Sequence, residues 1–337
     1  MPRASLTSDQ VAEVRQIHQT MVERLGQAGP RRRFAYRLQA VILLPLIWLL
    51  GALPVDIASG FGGWLGRTIL APLLNFPKHK RTVRVPFPHL DDAGIKSLLA
   101  EMSENIGRVL AEVPHLRDFA GPGNLRIRLT GIQNVEAARA MGAGVLFVTG
   151  HFGNWEMSEV AIRNAGLDGV VVVDHPKNPH FTARLALMRL GAGLSEQVGT
   201  RLGVYRTLRR RLKAGSIALM LVDQRVSNGI KVPFFGLETI TNVIPARIAR
   251  TLGTPVVPMS VRRLEGAHFE VRFESPLLFT SSGDEPADER TFMRRINAYF
   301  ESELLRMPAH WLWGHPRWDD VFLGIAPKRA PKSSDSG

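Results

Sequence analysis

The 337-residue chain contains no cysteine. Disulfides, thiol nucleophiles and cysteine metal sites are therefore excluded, although no compartment is identified. A G-x-S-x-G nucleophile elbow is also missing, which argues against a hydrolase built on a serine acyl-enzyme. There is no internal repeat. A clean membrane span is lacking too: the apolar run Ala40 to Leu53 has fourteen residues, where a bilayer crossing takes about 20. The run starts too far into the chain for an ordinary secretory signal, and no small-x-small cleavage site stands out. Acidic residues are scarce, with 30 Asp and Glu against 43 Lys and Arg and a net charge of +13. The partners expected are anionic: nucleic acid, acidic lipid, phosphorylated substrates or an acidic carrier protein. Lysine is rarer still, 8 residues against 35 arginines. A GC-rich genome is a sufficient cause, although arginine also grips phosphate bidentately.

Hydrophobic residues make up 45% of the chain and charged residues 22%, which describes a folded protein of one large domain or two small ones. Residues 1–30 are polar, with Val11, Val14, Ile17, Met21 and Leu25 at the spacing of a weakly amphipathic helix. Arg31, Arg32, Arg33 and Arg37 precede the first apolar segment. The second, Ile57 to Leu74, is interrupted by Gly60, Gly62, Gly63 and Gly66, and Lys78, His79, Lys80, Arg81 and Arg84 follow it. Cations on both sides fit a hairpin or in-plane membrane anchor at about 34–76, within an anchor region of 31–84. A helix pair buried inside the globule is the alternative.

From 85 to 324 apolar strands alternate with helical segments. Val145–Thr149, Val170–Val173, Ile217–Val222 and Val256–Val261 read as strands, and His268–Phe273 follows them. Helices are predicted over 91–118, Ile132–Met141, Phe181–Leu190, Tyr205–Lys213, Val243–Leu252 and Glu289–Leu305. This is an α/β pattern: a mostly parallel central sheet flanked by helices, with room for an antiparallel edge. The Pro-, Lys- and Ser-rich residues 325–337 read as a disordered tail.

The chemistry concentrates in Gly150-His151-Phe152-Gly153-Asn154-Trp155-Glu156. It places a histidine at the carboxyl end of a strand and a carboxylate in the first turn of the next helix, where open α/β sheets hold their sites. A carboxylate accepting one imidazole N–H fixes the tautomer and makes the other nitrogen a base for an alcohol proton. Asn154 reads as the N-cap, and free N–H groups near Gly153 to Trp155 are candidates to hold an oxyanion. The bland alternative is a capped loop histidine followed by a carboxylate on the helix dipole. A metal site is not expected, because no second His-rich segment supplies further ligands.

This heptapeptide resembles the HX4D/E signature of glycerolipid-type acyltransferases, in the form typical of the bacterial lipid A biosynthesis (lauroyl/myristoyl) acyltransferase family. Three further segments resemble the family's later blocks: Val222-Asp223-Gln224 with Val232-Pro233-Phe234-Phe235-Gly236, Thr254-Pro255-Val256-Val257-Pro258, and Trp311-Leu312-Trp313-Gly314-His315-Pro316-Arg317-Trp318. Together they cover about residues 30–320. One segment departs. Where the family carries Y-R-x-x-x-N-P, this chain has Val173-Asp174-His175-Pro176-Lys177-Asn178-Pro179, so Asp174 replaces the arginine. Lys177, or an arginine such as Arg225, is then expected to grip the substrate's anionic group.

The resemblance implies an O-acyltransferase with His151 as general base and Glu156 orienting it. Gly153, Asn154, Lys177, Asn178, Asp223 and Arg225 are expected at the substrate. The donor would be an acyl-thioester, on acyl carrier protein or alternatively coenzyme A, and no cofactor is required. The acceptor would be a hydroxyl of a lipid A precursor at the bacterial inner membrane, with the site facing the cytoplasm. Another lipid acceptor (a lysophospholipid, ornithine lipid or glycolipid) is the runner-up. Arg206, Arg209, Arg210 and Lys213 share one helix face, either as a solvated surface or as a docking patch for the carrier or lipid phosphates. A nucleic-acid-binding protein is the rival class, but neither a helix-turn-helix nor an aromatic-basic face is evident.

Overall fold

A computed structural model describes residues 15–318 except 17, 18, 21, 24, 28, 75, 143, 175–177, 194, 195, 200–202 and 316. The predicted tail and the first half of the predicted N-terminal helix lie outside these residues.

The first apolar segment forms α1 (Pro30–Ala52), a helix of 23 residues that starts at the Arg31–Arg33 cluster. The arginines extend the helix beyond the fourteen apolar residues. At a mean hydropathy of 1.7 it is long and apolar enough to cross a membrane, and only 11% of its most apolar window is buried. Phe34, Val41, Ile42 and Trp48 stand exposed along it.

The second segment behaves differently. Helix α2 (Val55–Leu65) continues through a π-turn, Gly66–Leu70, and a short 3-10 turn. Gly62, Gly63 and Gly66, which opens the π-turn, lie against the long helix α4 (Asp92–Glu112), which follows α3 (Phe76–Arg84). A Cβ on Gly62 would sit 2.4 Å from the Gly107 carbonyl oxygen, and one on Gly66 2.0 Å from that of Ser103. Glycine is thus required for the two backbones to touch. Ile57, Phe61 and Trp64 remain exposed on the outer face. Within the hairpin or in-plane anchor expected at about 34–76, α1 and the outer face of α2 both present exposed apolar side chains. The second segment is a half-buried helix whose small-residue face belongs to the globule.

After a short helix, α5 (Leu116–Phe119), the chain builds the sheet. Its strands are β1 (Ile127–Thr130), β2 (Val145–Thr149), β3 (Gly169–Val173), β4 (Glu196–Gly199), β5 (Ile217–Leu221), β8 (Val256–Arg263) and β9 (Phe269–Phe273). β6 (Ile230–Phe234) and β7 (Leu237–Thr241) form a separate antiparallel hairpin. The helices between and after them are α6 (Ile132–Ala140), α7 (Glu156–Asn164), α8 (Pro179–Gly191), α9 (Val204–Lys213), α10 (Ile244–Leu252) and α11 (Glu285–Arg306). The seven-stranded sheet runs in the order β1-β9-β8-β2-β5-β3-β4. Every pairing is parallel except β8 with β9.

Strand β2 is buried on both faces, as a central strand under two helical layers must be. Leu146 and Val148 face a core with α4, α9, α10, α11 and the tryptophans of the C-terminal segment. Val145 and Phe147 face a second core with α6 and α7. From β2 the chain moves one way, through α7 to β3, and from β5 it moves the other way, through α10 to β8. Right-handed crossovers in opposite directions put their helices on opposite faces. A crevice therefore opens between the carboxyl ends of the neighbours β2 and β5, at the topological switch point.

Candidate active site

His151 lies two residues beyond β2, and Asp223 lies two residues beyond β5. The strands are in register with Thr149 opposite Leu221, so the same offset brings these two side chains face to face. His151 Nδ1 is 2.8 Å from Asp223 Oδ1, and the His151 backbone N–H donates to Oδ2 at 2.9 Å. A third donor, the Trp311 indole N–H, reaches Oδ2 at 2.8 Å. Asp223 is 1% exposed. Burial alone would raise its carboxyl, but the His151 charge and these donors together hold it below the ordinary aspartate value of 3.8. An ionised Asp223 keeps the proton on His151 Nδ1 and leaves Nε2 as the basic nitrogen. The imidazole is 19% exposed, flanked by Trp155 and His315 with ring centroids 5.3 and 6.3 Å away. The Gln224 amide nitrogen stands 3.2 Å from Nε2.

Glu156 takes a different partner from the one expected. Both its oxygens are held by Arg189 of α8, from Nη2 at 2.6 Å and Nε at 2.8 Å. The pairing of His151 with Glu156 is thus corrected: the carboxylate on His151 is Asp223. The reason is helical geometry, because α7 starts at Glu156 and carries that side chain down against α8 rather than back toward the strand end. Arg189 also donates to Gln197. Burial would lower its guanidinium, and the Glu156 carboxylate more than offsets that, holding it above the usual arginine value.

The loop between His151 and Glu156 is fastened from beneath. Gly153 adopts φ 55°, and a Cβ there would meet the Val261 carbonyl oxygen at 2.6 Å. Its N–H donates to the His310 carbonyl at 2.9 Å, and its carbonyl accepts from Asn105 at 2.9 Å. Asn154, expected as the N-cap, precedes the actual N-cap Trp155; its Oδ1 accepts the Glu156 N–H, while its amide donates to the fully buried Glu112 at 2.8 Å. Arg263 clamps the same Glu112 with two nitrogens, and Ser59 of α2 donates to it. Gly153 and Asn154 were expected at the substrate. The Gly153 N–H and carbonyl and the Asn154 side chain are spent on the scaffold, so the Gly153 N–H is not available to an oxyanion.

The other predicted residues divide. Asp174 and Arg225 line a cavity of about 890 Å³ together with His151, Trp155, Glu156, Arg189 and Gln224. This lies within the range of small-molecule sites, roughly 300–1,000 Å³. Its deeper walls come from Val171, Val173, Leu219, Val222, Val243 and Ile244. Asn178 lies outside the cavity lining. It caps α8 through the His180 N–H and donates to the Tyr36 carbonyl and Gln39 of α1. Lys177 falls outside the described residues. Gly203 to Tyr205, at the start of α9, line the cavity. Further along that helix Arg206, Arg209, Arg210 and Lys213 are exposed, while Leu208 and Leu212 are buried. Among the described residues, no three His, Cys, Asp or Glu side chains converge to hold a metal.

Sequence reasoning missed Arg189, Gln224, Glu112 and Arg263 at this site. Arg189 carried no local signal, since it sits among ordinary helix residues.

Comparison with known proteins agrees with the motifs. Residues 30–320 match the family described as Bacterial lipid A biosynthesis acyltransferase. The chain is also similar to the phosphatidylinositol mannoside acyltransferase of Mycobacterium tuberculosis (strain ATCC 25618 / H37Rv), at 26% identity over 228 residues, 66% of this chain and 70% of the relative. Its similarity to the phosphatidylinositol mannoside acyltransferase of Mycolicibacterium smegmatis is 28% over 191 residues, 56% of this chain and 60% of the relative.

Proposed function

The chain belongs to the bacterial lipid A biosynthesis acyltransferase family, and from that premise we propose that it moves a fatty acyl chain from a thioester donor to a hydroxyl of a lipid A precursor. The observation that carries the chemistry is the His151–Asp223 pair, whose imidazole lines the cavity with the carboxylate buried behind it. His151 Nε2 takes the proton of the acceptor hydroxyl as the oxygen attacks the thioester carbonyl carbon. The C–S bond breaks, the thiolate leaves, and the imidazolium returns the proton to sulfur. The products are an ester and a free thiol, so no oxidant or reductant is consumed. Asp223 stabilises the imidazolium that forms in between. The incoming hydroxyl takes over the contact that Gln224 makes with Nε2.

Glu156 enters through Arg189. The pair holds a guanidinium at the cavity wall, where a cation can meet the developing oxyanion or an acidic group of a substrate. The apolar depth of the cavity suits an acyl chain. The exposed cations of α9 beside its rim suit the acidic surface of an acyl carrier protein. Coenzyme A, with less acidic surface, is the alternative donor. Helix α1, with Arg31 to Arg33 at its start, supports a place at the inner membrane with the site facing the cytoplasm.

A second acceptor is favoured by the relatives, whose names specify phosphatidylinositol mannoside. Mass spectrometry of lipid A from cells with and without the gene separates the two readings. Loss of one acyl chain from lipid A supports the first. Unchanged lipid A, together with transfer to purified phosphatidylinositol mannoside in vitro, supports the second.

A further inference from the structure

The segment after α11 packs against the candidate catalytic pair. It follows α11 and a 3-10 turn, Pro308–His310. Trp311 then bridges to Phe152, and the Leu312 N–H donates to the His151 carbonyl at 3.1 Å. With the Gly153 N–H on the His310 carbonyl, the segment is laced to the histidine loop by backbone bonds on both sides of Trp311. The indole is 2% exposed and packs edge-on against Trp313, ring centroids 4.7 Å apart. Its one polar atom is directed at Asp223 Oδ2.

We infer that Trp311 is a positioning residue for the reaction: its indole N–H holds Asp223 as an oriented carboxylate so that Oδ1 faces His151 Nδ1. The inference rests on the proposed role of His151 as base. A carboxylate with two oxygens can rotate, and it can take a proton when buried. Here Oδ2 is occupied by two fixed donors, the His151 and Trp311 N–H groups, which leaves Oδ1 for the imidazole. The charged or titratable groups around Asp223 are His151, Arg225 in its own loop, and His315 and Arg317 of the C-terminal segment. Arg317 is 1% exposed, stacks 5.0 Å over the Phe234 ring and donates to Thr241, Asn297 and the Ile240 carbonyl, all neutral acceptors. It supplies a buried positive charge that interacts with Asp223 through space, while Trp311 supplies the directed bond.

The test is a double-mutant cycle on the full chain, with thiol release from lauroyl-acyl carrier protein as the readout. Because the chain has no cysteine, a thiol reagent sees only thiol from the donor and its carrier. Trp311→Phe should lower kcat about tenfold or more, the loss expected for one bond to a charged group, with KM within about twofold. The acidic limb of the pH–rate profile should move to higher pH, because the carboxylate without the indole N–H is more basic and the His151–Asp223 pair takes up a proton more readily. In an Asp223→Asn background the same substitution should change kcat by less than about twofold. Trp313→Phe is the packing control: that indole is equally buried but donates to the Pro308 carbonyl, so it should lower Tm and leave the acidic limb in place. Equal losses from Trp311→Phe in both backgrounds, or an unmoved limb, overturn the inference. A separate arm needs no turnover. In 15N-tryptophan-labelled protein the Trp311 indole proton should move upfield in Asp223→Asn, and an unmoved signal also overturns it. If wild type releases no thiol with lipid A precursor or phosphatidylinositol mannoside as acceptor, the acyl-transfer reading has failed, and the indole signal still decides the Trp311 contact.

Discussion

Two buried carboxylates stand at the carboxyl edge of the sheet, and their neighbourhoods are opposite in kind. Asp223 accepts three N–H groups, one of them from a partly exposed imidazole that can lose and regain its proton. Glu156 is saturated by a guanidinium that stays charged, in a pair whose side chains are 9% and 5% exposed. The first arrangement can move a proton. The second can only hold a charge in place. Spacing within the heptapeptide favours Glu156 as the partner of His151, but strand neighbourhood favours Asp223.

The largest expected effect tests which carboxylate serves the base. Asp223→Asn should reduce kcat about 10³-fold, near the loss from His151→Ala, because an amide cannot hold the imidazole in the required tautomer. Glu156→Gln should cost kcat less. If Glu156→Gln proved as severe as His151→Ala while Asp223→Asn stayed active, the assignment of the two carboxylates would be reversed. Stability should rank them the other way. Glu156→Gln leaves the Arg189 guanidinium buried without its counter-charge, a loss of about 3–5 kcal/mol. The double variant Glu156→Gln/Arg189→Met should recover much of it, as denaturant unfolding would reveal.

Acid should narrow one difference. Asp223 ionises below 3.8 in the folded protein, so the stability its charge contributes is complete above that value and is lost as the pH falls further. The Tm difference between wild type and Asp223→Asn should therefore hold between pH 7 and 5 and shrink below about pH 4. A difference that widened on acidification would contradict the ionised carboxylate. The smallest effect belongs to a region that touches neither carboxylate. Charge reversal at Arg206 and Arg209 should raise KM for acyl carrier protein several-fold, leave kcat unchanged, and matter less at high salt or with acyl-CoA. Equal loss with both donors would move that face to the acceptor lipid.

Much of the fold could be read from residue order alone. The strands at Val145, Ile217 and Val256 are short apolar runs that read as buried strands, and their alternation with amphipathic helices points to a mostly parallel sheet. The hairpin strands β6 and β7 and the polar strand β4 were not legible as strands, because half-exposed residues give no sustained period. The two apolar N-terminal segments differed in sequence by the glycines of the second, whose purpose residue order did not reveal. In space Gly62 and Gly66 of the second meet Gly107 and Ser103 of α4, while α1 stays largely exposed.

The site divides along the same line. Sequence by itself determined that a histidine would stand at the end of a buried strand just before a helix, because strand length and the glycines are local instructions. Only the tertiary structure decided its partners. Hydropathy makes β5 a strand, but does not say that it lies next to β2, since strand order is settled by crossovers and packing many residues apart. Once β2 and β5 are neighbours with Thr149 opposite Leu221, His151 meets Asp223, and Glu156 is left to Arg189.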